Sequence, residues 1–471
     1  MKTPFIRLAL TAALIASASV SSASAASEGA AGGARLGAAW VLPFGGILAS
    51  LAIVPALAPH FWHRRQGAIS LFWALAFLLP FAAQFGADAA LHQLLHALLL
   101  EYIPFIVLIG ALFTISGGIY VGGRLHGSPW QNLSILAMGT AAASLVGTTG
   151  AGMIFIRPLL RANKGRPRQV HVFVFFIFLV CNIGGALTPL GDPPLFLGYL
   201  QGVHFSWPAR NLWPQTLFAA ASVLLVFFFL DSYYRGKEPP RPKASGAGKL
   251  ELHGRLNLLL AALLIAAVLA SGTNWLGKVG VAGIELNGMS LVRDAALIAL
   301  AGVSLAATPR RCRTLNEFNW APVLEVAKLF AAIFIAIAPA VTILKAGERG
   351  AFAPLFPLLE GAHGPDAAAY FWLTGFLSAF LDNAPTYLVF FNAAGGNAAT
   401  LMGPMAQTLT AISAGAVFMG AMTYIGNAPN FMVKAIAEHQ GIKMPGFFGF
   451  MAWSCGFLLP LYLLLTFLFF R

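Results

Sequence analysis

The sequence predicts an all-α polytopic membrane protein of two inverted-topology repeats, each holding a re-entrant hairpin and a broken transmembrane helix, with about ten full spans plus two hairpins. Three observations carry this expectation. Mean hydropathy is +0.78 over 471 residues, with 58% hydrophobic and only 10% charged residues, too few polar groups to coat soluble domains of this length. The 29 lysines and arginines gather in short stretches between apolar runs, so the formal net charge of +13 reflects cytoplasmic loops and not nucleic-acid binding. Two apolar runs are interrupted by similar segments, TPLGDPPLF at 188–196 and TYIGNAPNF at 423–431. Prolines, glycines and, in the first, an aspartate sacrifice helix propensity there, and the aspartate adds a cost of charge burial.

The first 25 residues read as a signal peptide, with Lys2 and Arg7, a short apolar core and the small residues Ala23-Ser24-Ala25. Apolar segments of spanning length follow at 36–58, 69–87 and 101–121. His63, Arg64 and Arg65 place the first intervening loop inside, and the uncharged-to-acidic stretch ADAALHQLLHALLLEY places the next one outside. Within it, the spacing of His92 and His96 suits an amphipathic interfacial segment better than a zinc site, because no third ligand is near in sequence.

Residues 131–162 begin near Arg124 and end in Arg157, Arg161, Lys164, Arg166 and Arg168, so both ends belong in the cytoplasm. That predicts an inward-opening hairpin with its tip at GTTGAG, 147–152. Arg157 could attract an anionic substrate, but on the basic end of this hairpin it reads more simply as a snorkelling topology marker. A span starting at His171 then breaks at GGALTPLGDPPLF, and another at 214–231 leads into the basic, Pro/Gly-rich linker YYRGKEPPRPKASGAGKLELHGR. Beyond it, spans at 256–271 and 289–307 end at Arg310, Arg311 and Arg313, and 320–345 runs outward. A second hairpin, outward-opening, turns at LDNAPT, and a broken span crosses TYIGNAPN towards Lys434 and Lys443 before the last span, 446–469. The domain boundaries are therefore a signal peptide at 1–25, a first helix and loop at 26–68, the first repeat at 69–231, linker and connecting helix at 232–288, and the second repeat at 289–471.

Paired interrupted helices in inverted repeats point to a secondary transporter with its site near the midplane. Unwound carbonyls with Thr, Asn and Asp side chains supply the oxygens that sodium requires. Thr148, Thr149, Asn182, Thr188 and Asp192 form one such set, and Asp382, Asn383, Thr386, Thr423 and Asn427 another. Asp192 and Asp382 are the expected proton-coupling residues, since burial favours a protonated carboxyl and a bound cation favours the ionised one. Capping of a half-helix is the competing role, above all for Asp192, which precedes two prolines.

The segments GTTGAGMIFIRPLLRANKGRPRQ, NIGGALTPLGDPPLFLGYLQG, LDNAPTYLVF and IGNAPNF resemble the ion transporter superfamily over about residues 69 to 471. That superfamily includes NhaD-type sodium/proton antiporters, arsenite exporters, citrate–metal carriers and sodium-coupled dicarboxylate carriers. The resemblance is nearest to the NhaD-type antiporters and the citrate transporter (CitMHS-like) members. It implies sodium/proton antiport first and cation-coupled transport of citrate or another carboxylate second. Dicarboxylate relatives carry Ser-Asn-Thr at each hairpin tip, where this chain has Gly147-Thr148-Thr149 and Asp382-Asn383-Ala384. No enzyme is expected, for neither G-x-S-x-G nor H-E-x-x-H occurs. No organic cofactor is expected either; sodium, as transported or coupling ion, would sit at the residues named above. Expected partners are the lipid bilayer, small inorganic cations and protons, with small carboxylates and a homodimer left open. The expected location is the bacterial inner membrane.

Overall fold

In the computed structural model the described residues are 36–123, 125–239, 251–273, 275–361 and 364–471. The signal-peptide assignment, Arg124 and the middle of the linker lie outside them. Six helices among the described residues are long and apolar enough to cross a membrane, or seven if Ala321–Ala336 and Ala338–Lys345, bent by 42°, form one span. This is a mostly helical multi-pass membrane protein, with three short two-stranded pairings among the described residues.

The first helices are α1 (Leu42–Leu57) and α2 (Pro59–Phe85), which pack together. The basic stretch 63–65, expected in a loop, lies in the opening turns of α2. Charge decides which side of a membrane a segment faces; it does not end a helix, and Pro59 at N1 starts α2 early. The stretch expected as an outer loop is also helical. α3 (Ala87–His96) runs through a π-helical segment, Ala97–Tyr102, into α4 (Ile103–Ser116), giving one 30-residue helical stretch.

α5 (Pro129–Val146) and α6 (Thr148–Asn163) fold back on each other with Gly147 between them, as the hairpin expectation required. Ser128 starts α5 by accepting a hydrogen bond from the Gln131 amide. α7 (Val170–Leu179) is apolar apart from His171 and is buried from His171 onward, as a helix without a polar side must be in the centre of a bundle. After the break come α8 (Pro193–Leu200) and α9 (Trp213–Gly236). The far end of the expected flexible linker is a strand, for Glu251–His253 pairs antiparallel with Tyr120–Gly122. α10 (Leu256–Ala270) and α11 (Gly288–Ala307) lead to α12 (Ala321–Ala336) and α13 (Ala338–Lys345). α14 (Ala367–Leu381), capped by the Asp366 carboxylate on the Ala368 and Ala369 amides, packs on α15 (Asn383–Ala393) with Asp382 between them. α16 (Ala406–Met419), α17 (Ala428–His439) and α18 (Phe447–Phe469) complete the chain.

The two breaks are built alike, on residues 235 apart like Asp192 and Asn427. At that spacing, Gly147 (φ 79°, ψ 151°) matches Asp382 (φ 78°, ψ 141°). Thr188 donates its hydroxyl to the Ser144 carbonyl, and Thr423 donates to the Ala379 carbonyl, so each break is latched to the first helix of its hairpin. In both breaks the backbone folds onto itself at a glycine. A Cβ at Gly191 would lie 2.1 Å from the Gly185 carbonyl oxygen, and one at Gly426 would lie 2.6 Å from that of Gly420.

Gly191→Ala and Gly426→Ala should therefore each destabilise the protein by about 1–3 kcal/mol, since the obstructing atom is backbone. Gly45→Ala, in α1 with open space around its Cβ position, should be neutral or stabilising. Thermal unfolding in detergent measures this, and equal midpoints for all three variants would contradict the matched close approaches.

Candidate functional site

The hairpin tips and the two breaks meet at one carboxylate. Asp192 stands before Pro193 with extended backbone (φ −144°, ψ 145°), a conformation the following proline favours. Although it occupies the N-cap position of α8, its side chain caps nothing. Instead Oδ1 accepts from Thr148 Oγ1 and from Asn427 Nδ2, both at 2.9 Å, and Oδ2 accepts from Asn383 Nδ2. Thr148 and Asn383 each open the second helix of a hairpin, and Asn427 lies in the second break. Asp192 is 2% exposed, and none of the ion pairs found among the described residues includes it.

Three neutral donors orient a carboxylate but do not neutralise it, and a buried charge without a counter-charge is costly. Beside it, Asn383 Oδ1 is buried without a hydrogen-bond partner, although Asn383 is fully enclosed. An unpaired amide oxygen next to a carboxylate suits a proton or a small hard cation, which binds oxygen ligands. Thr148 Oγ1 and Asn182 Oδ1 are further oxygens at this place, for Asn182 Oδ1 accepts from Asn427 Nδ2 at 3.4 Å.

The two ligand sets expected from the sequence thus exchange members. Thr148, Asp192, Asn383 and Asn427 make one node, and Asn182 adjoins it by accepting from Asn427 Nδ2 at 3.4 Å while donating to Asn430 Oδ1 at 2.8 Å. Thr188 and Thr423 serve the latches, and Thr386 donates back to the Asp382 carbonyl within its own helix at 2.8 Å. Asp382 has the capping contact weighed for Asp192, accepting from the Ala384 amide at 3.3 Å. Asp382 also lines a cavity of about 370 Å³ together with Thr149 and Asn427.

Two residues that the sequence did not single out are Glu317, at this cavity, and Asn430, in the second break. Arg157 lines the cavity wall and pairs with Glu317 at 3.0 Å, so this arginine is more than a topology marker. Thr149, Met153 and Arg157 recur every four residues along α6, a spacing that puts all three on the cavity side. Asn430, inside TYIGNAPNF, was visible as a motif residue; it donates to the Gly420 and Thr423 carbonyls at 2.8 and 2.9 Å and so braces the second break. Among the described residues no group of three His, Cys, Asp or Glu could hold a metal ion, and His92 and His96 are no exception.

Comparison with known proteins finds that residues 33–470 match the model of a family described as "Putative citrate transport". No curated protein matches the chain.

The hydroxyl of Thr148 is committed to Asp192, whereas Thr149 faces the cavity. Thr148→Val should accordingly cost about 1–3 kcal/mol of stability by removing a donor from a buried carboxylate, and Thr149→Val should cost less than about 0.5 kcal/mol. Thermal unfolding of the two isosteric variants checks the assignment; a larger loss for Thr149→Val would reverse it.

Proposed function

Because the chain belongs to this citrate-transport family, it is a membrane transporter and not an enzyme, and we propose that it moves a carboxylate anion coupled to a cation that resides at Asp192. The observation that carries the proposal is the buried Asp192 carboxylate, held by three neutral donors from both hairpins and the second break, with no ion pair to it among the described residues. A sodium ion or proton supplies the missing positive charge. Binding it joins the two tips; releasing it leaves donors and carboxylate to separate. Asp192 Oδ2, Asn383 Oδ1 and Thr148 Oγ1 would hold sodium, which there supplies charge compensation and no bond-making chemistry.

In this reading the matched breaks belong to two inverted repeats, at 69–231 and 289–471, with ten spans and two re-entrant hairpins. The spans beyond those of full helical length are the shorter apolar helices Val170–Gly185, Leu256–Ala270 and Ala406–Met422. Basic loops face the cytoplasm of a bacterial inner membrane. The cavity runs from Thr149, Asp382 and Asn427 to Asn316, Glu317 and Asn319, just after the basic stretch Arg310–Arg313. This is the arrangement of an inward-open state, and rocking of one part against the other about the node gives alternating access.

One observation favours a second reading, sodium/proton antiport of the NhaD type. Asp382 is a second carboxylate on the cavity wall, 5% exposed, and its 3.3 Å cap leaves it the weaker-bound of the two. Two carboxylates can exchange sodium for protons without an organic anion.

Reconstituted vesicles separate the readings. Radiolabelled citrate should accumulate when an inward sodium or proton gradient is imposed, and Asp192→Asn should reduce this at least about tenfold, because an amide cannot exchange its charge. Asp382→Asn should reduce it less. Absence of carboxylate uptake, with sodium-driven proton movement that Asp382→Asn abolishes, would overturn the carboxylate reading in favour of antiport.

A further inference from the structure

Arg157 is the single lysine or arginine among the described residues that line the cavity, while Glu317, Glu325 and Asp382 also line it. An anion that enters therefore meets several carboxylates and one cation. Arg157 lies eight residues along α6 from Thr149, about 12 Å at the rise of an α-helix. Two turns beyond the tip and paired with a half-exposed loop carboxylate, Arg157 stands towards the solvent end of the cavity. Its place is the mouth.

Glu317 comes to that mouth on a firmly tied loop. Asn316 Nδ2 donates to the Gly117 and Ile119 carbonyls at 3.0 and 2.7 Å, and Arg313 Nη1 donates to the Thr114 carbonyl at 3.0 Å, binding the loop to the end of α4. Glu317 itself has a φ of 44°, a left-handed conformation that costs energy for a residue with a Cβ. The turn closes through the Phe318 amide, which donates to the Arg313 carbonyl at 2.9 Å. The loop thus keeps a strained residue whose carboxylate reaches Arg157. The contact is Nη1 to Oε1, with 11% of the arginine side chain and 50% of the glutamate side chain exposed. Hydrogen bonding from Arg157 holds the Glu317 carboxyl below the usual range, with His439 adding a smaller share, so it is ionised whenever the cavity meets neutral solvent. A half-exposed pair of this kind is weak, and a guanidinium accepts any carboxylate of suitable geometry in its fork.

We propose that Arg157 and Glu317 form an exchange site at the cavity mouth: a carboxylate of the transported anion replaces that of Glu317 on the Arg157 guanidinium before the anion moves to the hairpin tips. The inference rests on the carboxylate reading of the function. Exchange of one carboxylate for another leaves the charge of Arg157 compensated throughout, so the mouth collects anions without trapping them. Glu317 acts as a built-in competitor that sets how much anion is needed to occupy the mouth.

Transport of radiolabelled citrate into everted vesicles, where the cytoplasmic face is outside, tests this with the full chain. Arg157→Gln should raise the half-saturating citrate concentration about tenfold with little change at saturation, the pattern of lost ground-state binding. Glu317→Gln should lower it severalfold by removing the competitor, and Arg157→Lys should fall between wild type and Arg157→Gln. Thermal unfolding of each variant confirms that it is folded. The opposite signs are decisive, for a merely structural latch between loop and hairpin would make both neutral variants shift the same way. Shifts in the same direction, or none, in a wild-type protein that does transport citrate would overturn the exchange site alone. A wild type that neither takes up citrate nor binds it in detergent, yet moves sodium against protons, would overturn the carboxylate reading and this inference with it.

Discussion

The structure depends on a single buried carboxylate shared by parts of the chain that are far apart in sequence. Asp192 accepts from Thr148 on the first hairpin, Asn383 on the second and Asn427 in the second break. Each donor is neutral, so the contacts set geometry without settling charge. The rest of the centre follows from making those donors converge. Both hairpins turn through one left-handed residue, and both breaks replace helical hydrogen bonds with a threonine latch and a glycine close approach. Each break ends in a proline-led half-helix whose N-terminal peptide dipoles point towards the node. Interrupted backbone at membrane depth survives only where protein surrounds it, and α7, buried from His171 onward, provides part of that surrounding wall.

A second constraint is the division of labour between the two aspartates. At matching positions, Gly147 and Asp382 share the same unusual backbone angles, but only Asp382 carries a side chain. It bears the cost of a left-handed conformation and spends its carboxylate partly on its own helix, at the Ala384 amide. Asp192 is unstrained and caps nothing, so its whole hydrogen-bonding capacity is turned to the node. The asymmetry places one carboxylate between the two hairpins and the other on the cavity wall.

Much of this was legible in the sequence because glycine, proline and asparagine in an apolar run mark interrupted helices directly. The tips at Gly147 and Asp382 and the breaks around Asp192 and Asn427 fall where that punctuation put them. Which carboxylate occupies the centre was not legible: the two prolines after Asp192 favoured a cap there and so pointed to Asp382, whereas the answer depends on contacts across 191 and 235 residues. For the same reason the sequence divided the ligands by repeat, whereas folding pairs Thr148 of one set with Asn383 and Asn427 of the other. Arg157 stood out as a cation that could attract an anion, but its partner Glu317 was not legible, because the pair forms only when a loop 160 residues away is brought against α6. Helix limits were misread at 63–65 and 88–100, where composition marks a side of the membrane and local hydrogen bonding carries the helix through.

We propose a coupling cation at Asp192, and a sodium ion there is directly observable. The most direct measurement is an experimental structure of the protein soaked with thallium(I) in place of sodium, with the ion located by its anomalous scattering. One strong peak is expected within coordination distance of Asp192 Oδ2 and Asn383 Oδ1, lost in Asp192→Asn. A peak confined to Asp382 and the cavity wall, with the Asp192 node undisturbed, would contradict it.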